Sequence, residues 1–332
     1  MTNFNASALF DMTINIFNWN YWGRHGRIPK MEFCTKDKFK QIRKDLMENF
    51  PAAKPLIKTV DQAFSFYHLP QKYQFQAYGC LQQVFSNDSF KQNFFGVYET
   101  LYENQSNEFR KLWEYKDVET LFGSSTPFAT NLMILLGMPF HQSKMKALKF
   151  SRKQRAIHIK RVKDCFVNDI ETRGYQGVRI SQMIWVAYFV RGIIIEVGIL
   201  QYEFDSSIDK IKIHIPQMPK LDMNQVKESL HASKLYIEKY FNLTDKLYVC
   251  NSWLLSKQIF ALLDDTSNIK KFQTLFRIKD GEDCINDLFN HVYHLRSCND
   301  FSQLPEQTTL QRKIKSELLR GIVFKLGCGE LI

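Results

Sequence analysis

The chain has 332 residues, of which 45% are hydrophobic, and a formal net charge of +11. That length and composition provide for one large domain or two ordinary ones with a real core, and they exclude a disordered chain. Seven scattered cysteines, without a Cys-x-x-Cys pair or a zinc-spaced Cys/His cluster, exclude a disulfide framework and a zinc finger, and point to a reducing, cytoplasmic setting.

The first residues, MTNFNASALFDM, lack the basic start and apolar run of a secretory signal, so none is expected. The segment Asn18 to Arg27 sets Trp19, Tyr21 and Trp22 beside Arg24, His25 and Arg27. It reads as a terminal arm packed by its aromatics, or else as an exposed recognition patch. Residues 1–170 are then predicted to be mainly helical. An amphipathic helix covers Lys36 to Phe50, followed by Pro51 and Pro55 as breakers. Short helices with aromatic apolar faces are expected at Val60 to Tyr67, Gln71 to Phe85 and Phe90 to Tyr102. An apolar helix, Thr126 to Leu136, should end in a turn at Gly137-Met138-Pro139.

From Lys144 to Lys163 there are nine Lys or Arg and no acid, so the rest of the chain is nearly neutral. Such a window suits a solvated helix face, an attractor for an anionic cofactor or acidic carrier protein, or a nucleic-acid patch. Its single aromatic, Phe150, gives little for bases to stack on, so nucleic acid is not the expected partner. The longest apolar window, Met183 to Leu200, contains Arg191 and Glu196. Each would cost about 2.5–3.5 kcal/mol at mid-membrane, so a buried helix, a turn at Arg191-Gly192 and a strand are expected instead of a span.

From Arg173 the pattern changes. RGYQGVRI should turn into a helix through Tyr188, and strands are expected at 193–204 and 210–215. In the second, Ile211, Ile213 and Ile215 alternate with Lys212 and His214, the period of a half-buried strand. Asp222 to Phe241 is a helix capped by Asp222, and 246–250 is a third strand. Short helices follow at Ser256 to Leu263 and Ser267 to Leu275. A last helix should run from Thr309 to about Leu326, closed by Gly327.

Six segments in this half carry a resemblance: RGYQGVRISQMIW, VGILQYEF, IHIPQMPKLDMNQVKESL, VCNSWLLS, SNIKKFQTLF and LPEQTTLQRKI. Taken in order over 173–329, they resemble the bacterial GNAT-like acyltransferase family, in which a helical N-acyltransferase N-terminal domain precedes a GNAT-like C-terminal domain. The resemblance implies an α+β chain with helical residues 1–170, then a mixed β-sheet flanked by helices in 171–332. It also implies an N-acyltransferase that moves an acyl group from acyl-CoA, or from an acyl carrier protein, to the amine of a small molecule or peptide; no metal is expected from the residues.

In GNAT-type enzymes the cofactor enters where two central parallel strands part. Glu203 and His214, at or near strand ends, are then the candidate bases, and Cys250 and Ser252 the candidates to protonate the departing thiolate or hold the acyl carbonyl. Ile215, Pro216, Gln217, Lys220, Leu221 and Asn268 are the candidate cofactor contacts. The loop 216–221 departs from the family's usual diphosphate loop in containing no glycine, the residue that lets backbone approach a phosphate. Lys220 is the cation available there. Two readings stand beside the enzyme: a catalytically silent module that binds acyl-CoA or another ligand, and a nucleic-acid-associated protein using the basic window.

Overall fold

A computed structural model describes residues 36–103, 116–172, 174–204, 210–216, 221–295 and 297–332. The aromatic segment at 18–27 and the loop residues Gln217 and Lys220 lie outside these. The described residues form two compact units. One comprises those up to Phe140 together with Ile159–Ala187, the other His141–His158 with Tyr188–Ile332.

The first unit is helical: α1 (Lys36–Asn49), α2 (Lys54–Phe66), α3 (Gln74–Ser86), α4 (Asp88–Tyr102), α5 (Lys116–Phe122) and α6 (Thr126–Leu136). Helix α6 is buried all round from Ala129 to Leu136, as expected of a helix without a polar face. Its Asn131 accepts from the Val178 N–H at 2.8 Å and donates to Gln76 Oε1 at 3.0 Å. Gly137 interrupts the helix for one residue only. Pro139, tolerated in a first turn, helps to start α7 (Met138–Ala147), where the sequence predicted only a turn. Among the described residues, the helical run Val118–Ala147 is long and apolar enough to cross a membrane, and 67% of its apolar window is buried.

Helix α8 (Arg152–Phe166) follows Lys149, whose φ is +50°. Lys144, Lys146, Lys149, Arg152, Lys153, Arg155 and Lys160 are exposed, so the basic window is largely a solvated face. Helix α9 (Ile180–Val190) ends at Arg191-Gly192, and Gly192 takes a φ of +66° in the expected turn.

The second unit holds a six-stranded sheet of order β1-β2-β3-β4-β6-β5. Its strands are β1 (Ile194–Val197), β2 (Leu200–Phe204), β3 (Lys210–His214), β4 (Leu247–Ser252), β5 (Phe276–Asp283) and β6 (Lys325–Leu331). All neighbours are antiparallel except β3 and β4. The single strand expected over 193–204 is a hairpin. Gly198 has a φ of +65°, and a Cβ there would lie 2.8 Å from Ser229 Cβ, so only glycine suits the turn.

Helix α10 (Met223–Phe241) covers one sheet face. Tyr202 hydrogen-bonds Ser229 at 2.9 Å, and the rings of Phe204 and Phe241 stack at 4.4 Å. Helices α11 (Lys257–Leu262), α12 (Asn268–Gln273), α13 (Ile285–Leu288) and α14 (Thr309–Leu319) follow. Ile259, Leu288, Phe289, Ile314 and Phe324 form a second apolar core among them. Helix α14 stops seven residues short of the predicted Leu326, because Gly321 turns the chain at a φ of +81°. Gly327, expected to end that helix, instead lies inside β6.

Candidate functional site

The parallel ladder of β3 and β4 pairs Lys210 with Leu247, Ile211 with Tyr248 and Lys212 with Val249, and ends there. Both strands run on without each other. β3 stays on β2 as far as His214, opposite Gln201, and β4 stays on β6 as far as Ser252, opposite Gly327. The sheet therefore opens between His214 and Cys250, and the backbone groups facing the gap are not used by the β3–β4 ladder.

Opposed residues share a sheet face and successive ones alternate. This puts Gln201, Glu203, Lys212, His214 and Val249 on one face and Tyr202, Ile213, Tyr248 and Cys250 on the face covered by α10. The two candidate bases are together. His214 Nε2 lies 2.8 Å from Glu203 Oε2, and Lys212 Nζ lies 3.1 Å from Glu203 Oε1. Glu203 is deeply buried, its side chain 6% exposed, while His214 is 28% exposed.

Burial, the largest influence on Glu203, disfavours its ionised form. The hydrogen bond and charge of His214, with the Lys212 ammonium, outweigh it and hold the carboxyl below its usual value. Ionised Glu203 accepts from His214 Nε2. Lys212 was not among the sequence candidates. The signal was present in the alternation of β3, which set it on the face of His214.

The depressed pKa predicts an acid effect. The unfolded chain binds the Glu203 proton more readily than the folded one, so stability rises with pH through this window. The contribution is complete above the ordinary value of 4.5 and is lost as the pH falls through the folded value. Glu203→Gln is expected to cost stability at about pH 6 and progressively less towards about pH 3, read from urea midpoints. A constant difference across that range would exclude a linked proton at this pair.

Cys250 is 1% exposed, and burial, followed by the nearby Cys328, pushes its thiol up to about 12. It is a neutral thiol on the face opposite Glu203. Ser252 ends β4, and its Oγ accepts the Leu254 N–H at 3.2 Å as the cap of a short turn. Ile215 and Pro216 continue from β3, half-buried, and Leu221 is buried just before α10. The expected cap is present, with Asp222 Oδ1 accepting the Asn224 and Gln225 N–H groups at 3.0 and 3.1 Å. A carboxylate thus occupies the amides that a phosphate would use at that helix start. Asn268 opens α12, apart in sequence from the β3–α10 loop. Among the described residues no His/Cys/Asp/Glu group has the arrangement of a metal site.

The family model described as GNAT-like C-terminal domain matches residues 143–331, more than half of the chain. The chain belongs to that family. Its GNAT-like sheet, with the parallel pair that parts at the centre, follows a helical N-terminal region, which is the expected α+β class. Solved structures share the fold across nearly the whole chain. One is an acyltransferase in complex with decanoyl-CoA, at 16% identity, covering 88% of this chain and 98% of that one with a TM-score of 0.65. Another is an acyltransferase mutant in complex with octanoyl-CoA, at 14% identity, covering 89% and 99% with a TM-score of 0.65. A third is an acyltransferase in complex with decanoyl-CoA and teicoplanin, at 14% identity with the same coverage and TM-score. At these identities the likeness is one of fold. No curated protein matches the chain in sequence.

Proposed function

We propose that this GNAT-like chain is an N-acyltransferase that takes an acyl group from acyl-CoA and delivers it to an amine-bearing small molecule. The observation that carries the reading is the Glu203–His214 hydrogen bond at the level where the β3–β4 ladder ends. The GNAT-like fold supports it, as do the acyl-CoA complexes of the similar structures.

His214 Nδ1 takes a proton from the acceptor's ammonium, and Glu203 stabilises the imidazolium that results. The amine lone pair then attacks the thioester carbonyl, forming the C–N bond. Collapse of the tetrahedral adduct breaks the C–S bond, and the second proton shed by the adduct's nitrogen balances the one taken up by the departing thiolate. Cys250, a protonated thiol, and Ser252, a hydroxyl at the strand end, are the groups proposed to meet that thiolate or the acyl carbonyl. The cofactor contacts proposed are Ile215, Pro216, Gln217, Lys220 and Leu221 along the β3–α10 loop, with Asn268 on α12. With Asp222 on the helix amides, the diphosphate is expected to rely on cationic side chains more than on the helix start.

Thermal shift with acetyl-, octanoyl- and decanoyl-CoA, CoA alone and an acylated carrier protein tests donor binding, and thiol release with an amine panel tests transfer. Stabilisation by at least one acyl-CoA and amine-dependent thiol release are expected. Stabilisation only by the carrier protein would move the donor to that class. Binding without turnover would favour a silent ligand-binding module, and no response to any donor would overturn the reading.

A further inference from the structure

Glu196 is a carboxylate in a strand of four buried residues, and it is itself 5% exposed. Burying a charge costs several kcal/mol unless it is well partnered. Part of the compensation is Gln201, 2% exposed, whose Nε2 donates to Glu196 Oε2 at 2.9 Å. The pair is not isolated. Glu196 stands opposite Gln201 in the β1–β2 ladder, and Gln201 stands opposite His214 in the β2–β3 ladder. Directly opposed side chains in an antiparallel pair have Cβ atoms about 4.5–5.5 Å apart. The three residues form one row across three strands, on the face that also carries Glu203. The outer end of the row is tied to α8, because the Glu196 N–H donates to His158 Nε2 at 3.3 Å and His158 is buried against Phe150 and Phe189.

We infer that Gln201, anchored by Glu196, is a positioning residue for His214. Held at one end by the buried carboxylate, the amide walls the imidazole from β2 while Glu203 grips its Nε2. Two strands then fix the ring, at the level where β3 and β4 part. A neutral amide suits this place. A carboxylate opposite the ring would favour the protonated imidazole, and an apolar side chain would remove the Gln201 hydrogen bond from Glu196. The inference deepens the acyl-transfer reading and, in its kinetic part, rests on it.

The test uses Gln201→Met, of similar volume without the hydrogen bond, and Gln201→Glu, which adds a charge. On the face of the His214 ring the ladders place Glu203 on β2, Lys212 on β3 and, behind Gln201, Glu196 on β1, with Glu330 and Cys328 of β6 beyond β4. From β4, Val249 and Asn251 do not titrate. Gln201→Met is expected to lower kcat at least about tenfold with KM for acyl-CoA unchanged. In Gln201→Glu the His214 ring, followed by NMR and assigned by its absence from His214→Gln, should titrate about one pH unit higher. The acid limb of the rate profile, which the base's own proton sets, should move to higher pH with it, which a merely structural glutamine would not cause.

The NMR titration needs no turnover, so the two readings fail separately. If the wild type transfers no acyl group but the ring titration still moves, the placement of Gln201 stands and the acyl-transfer reading falls. Wild-type kcat in Gln201→Met together with an unmoved His214 titration in Gln201→Glu would overturn the inference.

Discussion

Replacing His214 with Ala is expected to lower kcat for acyl transfer by about two to four orders of magnitude, the range for a positioned general base. KM for acyl-CoA should change little, because the ring is assigned to the acceptor's proton and not to the donor. The loss should also depend on pH. An alkyl ammonium with a pKa near 10 is almost wholly protonated at neutral pH, so the wild type relies on His214 to generate the nucleophile. As the pH rises, solvent removes that proton unaided, and the deficit of the variant should narrow. Steady-state rates from about pH 6 to 10 with one acyl-CoA and one amine would show the convergence. A deficit that stays constant would make His214 a structural partner of Glu203 and move the base elsewhere. Thermal shift by acyl-CoA should survive in the variant and separates lost chemistry from lost folding.

The alternation of Ile211, Lys212, Ile213 and His214 was enough to place β3 and to set His214 on the face opposite Ile211 and Ile213, because a half-buried strand repeats every two residues. The cap at Asp222 was legible for a similar reason, since a carboxylate before a helical apolar stripe has one good use. Legibility failed where local and tertiary causes compete. Every residue of IIIEVGILQYEF tolerates a strand, and only the packing of Gly198 against Ser229 folds it into a hairpin. The helix from Thr309 was expected to reach about Leu326 on apolar spacing, yet Ile322 within it is 39% exposed, and the chain turns at Gly321 into a strand that needs β4 and β5 as partners. β5 alternates charged residues along an edge and has little apolar pattern of its own. In the site, Glu203 and His214 were separately visible as strand-end groups, but their hydrogen bond was not. That bond depends on the β2–β3 register, a pairing between segments that period alone does not fix. Glu196 was visible only as a charge that excluded a membrane span; its role follows from the neighbour across the ladder.

The same dependence on close backbone approach makes Gly327 the position where one methyl group should do most harm. A Cβ there would lie 2.1 Å from the Leu255 carbonyl oxygen and 2.3 Å from its carbon. The obstacle is backbone, not the end of a flexible side chain, so relief requires β6 to shift against the turn after β4. Gly327 is opposed to Ser252 in that ladder, so the shift would reach the strand end that borders the gap. Gly327→Ala is therefore expected to cost about 3 kcal/mol, near the upper end for overpacking, and to lower Tm by roughly 6–12 °C. Gly96 offers the contrast, because it lies in α4 with nothing within 4 Å of its Cβ position. Gly96→Ala should leave stability unchanged or raise it by about 0.5–1 kcal/mol through the lower entropy of the unfolded chain. Paired thermal and urea melts of the two variants decide the matter. If Gly327→Ala melts with the wild type, β6 does not approach Leu255 as described, and the strand end carrying Ser252 is placed wrongly with it.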